Sequence, residues 1–297
     1  MENTPFQVNL KYKQGKRTFD IERRKYRKFY KDFTSFLFAK GCTDNYVGMM
    51  IKQLRSFFIY LNQSKGYNTG TFYKEFYVRR EEIPVIVLSM SRLQFLIGDS
   101  EFSQSLPKHL ESTKDTFVFG CTVGLRFSDI MSLKNKNMHK ENGNVYILTR
   151  SIKTGTQTRI KLPDYAISIL KKYKHTPKTL LPNISLNQFN KNLKTIGELA
   201  GWTEEIGKER SKRGLRKEIR NAKGKIFRFC DAMSSHMMRR TAITTLLING
   251  MPEPLVRKIS GHAAGSKEFY KYVQYSESFL DNETDRVYSR MMPRANN

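Results

Sequence analysis

The chain of 297 residues carries 53 Lys and Arg against 27 Asp and Glu, a formal net charge of +26, and is 39% hydrophobic with 20 Phe and 15 Tyr. That apolar content excludes a wholly disordered basic tail, and the charge separates the chain from a near-neutral metabolic enzyme. It implies a polyanionic partner, because each Lys or Arg set against a phosphate releases condensed counterions. Nucleic acid leads, and an anionic membrane surface is the rival. At about 100–200 residues per domain the length accommodates two domains. No run approaches the ~18–20 consecutive apolar residues of a spanning helix, and Met1-Glu2-Asn3-Thr4 lacks the basic-then-apolar order of a signal peptide. The expectation is a soluble, cytoplasmic protein without membrane contact. Cys42, Cys121 and Cys230 are widely spaced with no Cys-x-x-Cys pair, which indicates neither a disulfide framework nor a zinc site and reads as small buried hydrophobes.

In chain order, the first helical signal starts near Thr18-Phe19-Asp20. Ile21, Tyr26, Phe29, Tyr30, Phe33, Phe36 and Leu37 follow at steps of three and four, one face of a helix. Gly41 stops it, and Thr43-Asp44-Asn45 offers caps for a second helix carrying Val47, Met50, Ile51, Leu54, Phe57, Phe58 and Leu61. Residues 18–63 therefore predict an antiparallel helical pair whose outer faces carry Arg23, Arg24, Lys25, Arg27, Lys28, Lys31, Lys52 and Arg55. Such a surface suits a module lying along a duplex, and equally an ordinary solvated face. Gly66 and Asn68-Thr69-Gly70 mark a turn, and Pro84 closes a polar run. This places an N-terminal domain over 1–76, a linker over 77–88 and a second domain over 89–297.

In the second domain, Ser89-Met90-Ser91 caps a short helix through Ile97, and a longer one spans about 106–121. The period then changes to a strand-like run at Val145-Tyr146-Ile147-Leu148, followed by Lys153-Thr154-Gly155 and Thr158-Arg159-Ile160-Lys161-Leu162-Pro163. These predict a β-hairpin inside an otherwise helical domain. Helices resume at 164–173 and 186–201. The tract 208–228 holds ten Lys and Arg against Glu209 and Glu218, and is expected to be a loop or basic helix over phosphate.

Three separated boxes carry the chemistry: Gly124-Leu125-Arg126-Phe127-Ser128-Asp129, then His236-Met237-Met238-Arg239-Arg240-Thr241, then Gly261-His262 followed by Phe269-Tyr270-Lys271-Tyr272-Val273. Singly each is weak: a Gly-Leu-Arg turn is commonly only a turn, and a His and an Arg three apart simply share a helix face. Together, in this order and with a hairpin lysine between the first two, they resemble the tyrosine recombinase (phage-type integrase) family over about 18–290. The tail around 236–241 and 260–273 looks closest to integrases of bacterial mobile elements. The resemblance implies a mainly α fold, a helical core-binding domain plus a mostly helical catalytic domain with a small hairpin or sheet. It also implies duplex DNA as partner, a tetramer on two DNA sites, accessory DNA-bending or directionality proteins, and a bacterial, nucleoid-associated location.

Moving a phosphodiester from a deoxyribose oxygen to a tyrosine builds charge on the non-bridging oxygens, which arginine forks stabilise bidentately. The resemblance assigns Arg126 and Arg239 to that clamp, with no cofactor and no metal. A tyrosine with a pKa near 10 must lose its proton as it attacks, and His236 resembles the residue that assists. Lys153 matches the family's general acid for the leaving 5′ oxygen, although Lys161 lies nearby. His262 would donate to a non-bridging oxygen, and Asp129 would hold the first box in place.

Two departures from the pattern stand out. The position after the second arginine, often His in the family, is Arg240, expected to contact backbone phosphate or a buried acid. The usual nine-residue step from the last His lands on Lys271, which cannot serve as nucleophile. Two residues on a helix lie about 200° apart, so only one of Tyr270 and Tyr272 can face the phosphate. The apolar-x-x-Tyr-apolar ending favours Tyr272, while alignment on Tyr270 reproduces a Tyr-x-x-Val ending, so Tyr270 stands as the alternative nucleophile.

The resulting expectation is a site-specific recombinase acting through a 3′-phosphotyrosine, with the segment 276–290 as a candidate for docking onto a neighbouring protomer. The short stretch before Thr18 leaves little room for an arm-binding domain and so favours simple sites. The alternatives are a type IB topoisomerase-like nicking and resealing enzyme and a non-catalytic DNA-binding protein of the same fold.

Overall fold

The steps of three and four between apolar residues become two long helices, α1 (Lys16–Ala39) and α2 (Asp44–Lys65), in the computed structural model. It describes residues 16–175, 178–221, 224–263, 265–274, 281, 284–285 and 287–288. Tyr26, Leu37 and Phe38 of α1 and Val47, Ile51 and Phe58 of α2 are buried together with Phe72, Tyr73 and Phe76 from a 3₁₀ turn and the residue after it. Aromatic rings dominate this core: Phe58 stacks on Tyr73 at 5.3 Å, and the buried Tyr26 hydroxyl donates to the Thr69 carbonyl at 2.6 Å. Gly48 lets the chain at Arg79 pass against α2, since a Cβ there would meet the Arg79 carbonyl oxygen at 2.0 Å.

The chain from 76 to 89 has no regular structure. Beyond it come α3 (Met90–Gly98), α4 (Ser100–Ser105), α5 (Lys108–Val123) and α6 (Phe127–Met131), then strands β1 (Met138–Glu141), β2 (Asn144–Arg150) and β3 (Gln157–Lys161). Helices α7 (Asp164–Lys172), α8 (Leu186–Leu199), α9 (Phe229–Ala232), α10 (Ser235–Ile248), α11 (Glu253–Ser260) and α12 (Lys267–Gln274) follow. Ser89 starts α3 as expected, its side chain accepting from Arg92 N–H, which satisfies one of the orphan donors at a helix N-terminus. Helix α5 is buried on all sides from Thr113 to Cys121: Phe117, Val118 and Phe119 pack in the core, and the buried Asp115 accepts from Lys172 and from the Tyr173 hydroxyl at 2.7 and 2.8 Å. The helix approaches α10 so closely that a Cβ on Gly120 would come within 2.3 Å of the Met238 sulfur.

The expected hairpin is present and gains a third strand. β1, β2 and β3 form an antiparallel sheet in that order, with Ile147 paired to both Met138 and Ile160. The extra turn is Asn142-Gly143, both with positive φ (47° and 73°), the type I′ geometry that matches strand twist. Burial alternates along β2 and β3, with Val145, Ile147, Thr158 and Ile160 inward. The fold is mainly α with small antiparallel sheets.

Two features differ from the sequence reading. The basic tract 208–228 forms no helix among its described residues and is only in part a loop: it contains a two-stranded hairpin, β4 (Glu209–Lys212) and β5 (Leu215–Glu218). Its turn is Arg213-Gly214, with φ of 56° and 81°. The domain division also differs. The chain forms one compact unit from Met1–Ile83 with Gly207–Ile226 and another from Pro84–Ile206 with Phe227–Asn297, whereas the sequence reading gave all of 89–297 to the second domain. The cause is two carboxylates on the N-terminal side. Asp44 accepts from the Arg213 and Gly214 N–H groups at 2.9 and 2.7 Å. Glu81 accepts from Ser211 N–H and pairs with Arg210 at 3.1 Å. Arg213 and Arg79 both set their guanidinium groups over the Phe38 ring.

No helix among the described residues is long and apolar enough to cross a membrane. The expected docking segment 276–290 lies largely outside the described residues.

Candidate active site

Arg126 stands where α5 has ended and α6 begins. Gly124 supplies the left-handed turn (φ 65°) and donates its N–H back to Gly120, a role for which glycine carries no Cβ penalty. The Arg126 guanidinium donates to the Ser151 hydroxyl at 2.9 Å, and that hydroxyl lies 3.2 Å from Asp129 Oδ2, to which it donates. The other Asp129 oxygen accepts from Ile152 N–H at 3.0 Å. Asp129 is 1% exposed. It therefore ties the first box to the turn between β2 and β3, where Lys153 is the next residue.

Lys153 is exposed on that turn. With Arg126, Ser235, His236 and Arg239 it lines a cavity of about 600 Å³ whose apolar wall includes Phe127, Met131 and Leu186. His236 is in the first turn of α10, whose start is held by Asn190 accepting from Ser235 N–H at 2.8 Å. His236 as a whole is exposed. Desolvation by the cavity wall, then the charges of Arg240, Arg239 and Arg126, push its pKa down to about 4, so the ring is neutral at physiological pH and free to accept a proton.

Arg239, three residues on, is 3% exposed. One of its terminal nitrogens donates to the Gly124 carbonyl at 3.0 Å, and the other lies 3.2 Å from both ring nitrogens of His262. Burial, then the neighbouring Arg126, lowers even this guanidinium to about 10. His262 follows Gly261, the left-handed cap of α11. Burial, Arg239, Arg126, Arg257 and His236 hold it down to about 3. Two arginines and two neutral histidines thus gather where Asp129 is the one carboxylate near Arg126 among the described residues, the pattern expected of an anion-binding centre.

The two candidate tyrosines part company on α12. Tyr272 is 6% exposed, its ring 5.9 Å from that of His262 and 6.3 Å from that of Phe269, and it interacts electrostatically with Arg239. Tyr270 is 48% exposed, with the Arg257 guanidinium over its ring at 4.8 Å. Lys271 between them is exposed.

Of the two partners expected for Arg240, a buried acid is not found among the described residues, and its Nε is buried without a hydrogen bond. Three contributors escaped sequence reasoning: Ser151, which joins Arg126 to Asp129; Arg257, which pairs with Glu253 and donates to the Ala263 carbonyl at 3.1 Å; and Ser260, whose hydroxyl lies 2.8 Å from His262 Nδ1. A serine near a strand or helix end is too common to signal such a role.

Residues 104–278 match the profile of the phage integrase family. No curated protein sequence matches. Among solved structures, the chain is similar to a Tn1549 transposon integrase (aa 82-397) in complex with circular intermediate DNA, with a TM-score of 0.58 and 15% identity over 86% of this chain and 84% of that one. It is similar to XerH site-specific recombinase bound to palindromic difH substrate in a post-cleavage complex (TM-score 0.62, 16% identity, 88% and 69% covered). It is also similar to a lambda integrase dimer bound to a COC′ core site (0.56, 13%, 84% and 63%). At these identities the likeness is one of fold. The family profile spans more than half of the chain and includes all three boxes, and the chain belongs to the phage integrase family of tyrosine recombinases.

Proposed function

We propose that this protein is a site-specific recombinase of a mobile element that cleaves and rejoins duplex DNA through a 3′-phosphotyrosine formed by Tyr272. The observation that carries the reading is the convergence of Arg126, Lys153, His236 and Arg239 on one cavity, with His262 against Arg239 and Tyr272 against His262. The buried Arg239 and the partly buried Arg126 supply fixed positive charge where the pentacoordinate phosphorus becomes most anionic, at little reorganisation cost. His236, neutral at pH 7, accepts the proton that Tyr272 loses on attack. Lys153 gives a proton to the departing 5′ oxygen. Each positioned proton transfer contributes roughly 10²–10⁴ in rate. The phosphotyrosine conserves the energy of the broken bond, so the reaction as proposed runs without metal or nucleotide.

The solved relatives bound to DNA support duplex DNA as the substrate, and the net charge of +26 supports strong, salt-dependent binding to its backbone. Four protomers on two sites would exchange strands pairwise, each free 5′ hydroxyl attacking the partner's phosphotyrosine. Bacterial cytoplasm, on the nucleoid, is the corresponding location.

The test is a denaturing-gel assay for a covalent protein–DNA adduct on nicked duplexes cut from the borders of the DNA element that carries the gene. Wild type and Tyr270→Phe are expected to form the adduct and Tyr272→Phe to lose it. Loss in Tyr270→Phe alone would move the nucleophile. No adduct from wild type on duplexes that it binds would favour a DNA-binding protein of the same fold.

A further inference from the structure

Arg257 lies in the last turn of α11, is 8% exposed, and has its guanidinium held along two edges. Nε donates to Glu253 Oε1 at 2.7 Å and Nη1 to the Ala263 carbonyl at 3.1 Å, so the plane is fixed independently of α12. It meets that helix on two consecutive rings. The central guanidinium carbon is 4.1 Å from the centre of the Phe269 ring and 4.8 Å from that of Tyr270. Consecutive residues point about 100° apart around a helix, so one planar group set against both rings resists rotation of α12 about its own axis. That rotation decides which tyrosine faces the site. Tyr272 comes round to about 60° on the other flank of Phe269, where its ring lies 5.9 Å from that of His262.

Helix α12 has few other anchors. It is eight residues long, and among its described residues Phe269 and Tyr272 are the buried ones, packed with Ile243, Leu247 and Val256. A tyrosine that must reach phosphorus cannot also serve as the anchor of its helix, which leaves Phe269 and the Arg257 contacts. We propose that Arg257 is a positioning residue that fixes the rotation of α12 and so selects Tyr272 over Tyr270 as the tyrosine beside His262. The catalytic consequence rests on the recombinase reading above; the placement of the ring does not. Tyr270 is then the outer half of the grip. What the grip needs from it is a ring face, because the attraction runs between the cation and the ring's π electrons, and its hydroxyl is dispensable.

The experiment is tyrosine nitration of the full-length, DNA-free protein with tetranitromethane, mapped by mass spectrometry. In wild type Tyr270, 48% exposed, is expected to react and Tyr272, 6% exposed, to be protected. Arg257→Ala and Tyr270→Ala are each expected to raise the Tyr272 rate by about fivefold, the size of one such contact, while Tyr270→Phe, which keeps the ring, leaves it protected. The double Arg257→Ala, Tyr270→Ala variant should match Arg257→Ala alone, since the two act through one contact. Unchanged hydrogen exchange in the sheet of β1, β2 and β3 reports an intact fold; where Arg257→Ala loosens the sheet as well, Tyr270→Ala alone carries the test. In single-turnover adduct formation Arg257→Ala is expected to lower the saturating rate by roughly tenfold at an unchanged half-saturating DNA concentration. Arg257→Lys, which keeps the charge without the plane and its fork, is expected to restore little of that rate. Unchanged protection of Tyr272 in either alanine variant overturns the proposal, as does full recovery in Arg257→Lys, which would assign the arginine to charge alone. Absence of any adduct in wild type would count against the recombinase reading while leaving the nitration result to decide the positioning.

Discussion

The buried carboxylate of Asp129 accepts the backbone N–H of Ile152 at 3.0 Å, which makes an acidic residue of the first arginine box the anchor of the turn that presents Lys153. Removing that carboxylate leaves Ile152 N–H and the Ser151 hydroxyl without their acceptor. Asp129→Ala is expected to lower stability by about 2–3 kcal/mol and adduct formation by roughly tenfold or more, since a small misplacement of a reacting group is costly. Thermal denaturation and single-turnover cleavage on the same preparation check both; a stable variant with full activity would remove Asp129 from the argument.

Lys153 is a separable case, because its proposed task is a proton for the leaving oxygen. Lys153→Ala should lose adduct formation on ordinary DNA by roughly 10²-fold or more. On a duplex whose scissile 5′ oxygen is replaced by sulfur, it should recover most of the rate, because a thiolate is a far weaker base and departs unprotonated. Equal defects on both duplexes would assign the lysine to phosphate binding instead.

The histidine shifts have a sign. His236 and His262 fall to about 4 and about 3 in the folded protein from an ordinary value near 6.5. Between those limits the unfolded chain therefore binds protons that the folded site refuses, and stability rises with pH through this window. The DNA-free protein is expected to lose about 1–3 kcal/mol between pH 6.5 and 4 from these two rings, discounted because both are partly open to solvent. Urea denaturation across that range, beside a His236→Asn, His262→Asn double variant with a flatter profile, measures it.

Asp44 carries a prediction for the other unit. Asp44→Ala frees the Arg213 and Gly214 N–H groups and removes an acid from the first turn of α2, an expected cost of about 1–3 kcal/mol. Hydrogen exchange should speed up across 209–218 while the sheet of β1, β2 and β3 is unaffected. Unchanged protection in the hairpin would show that Glu81 alone suffices to hold it.

Much of this protein was legible before any coordinates. Periodicity gave α1, α2 and most helices of the second unit because a helix that buries one face must repeat its apolar residues every three or four positions. The three boxes offered candidates through their resemblance to the tyrosine recombinase pattern, and the structure brings Arg126, Lys153, His236 and Arg239 to one cavity. The tract 208–228 was misread because its charge is informative and its pattern is not. β5 is exposed along its whole length, so no alternation of apolar and polar residues betrayed a strand, and the carboxylates that hold the hairpin lie some 130–170 residues away in the chain.

What the sequence determined by itself is thus the set of chemical types: a basic, aromatic-rich, mainly helical chain with two arginines, two histidines, a lysine and a pair of tyrosines. What only the tertiary structure decided is which of them meet. Tyr270 and Tyr272 are equivalent as letters. On α12 they face different neighbours, one beneath Arg257 and the other beside His262, because two steps along a helix turn a side chain by about 200°. The serines at 151 and 260 acquire meaning in the same way: a hydroxyl has no preferred role until packing sets its one proton and its lone pairs against particular partners.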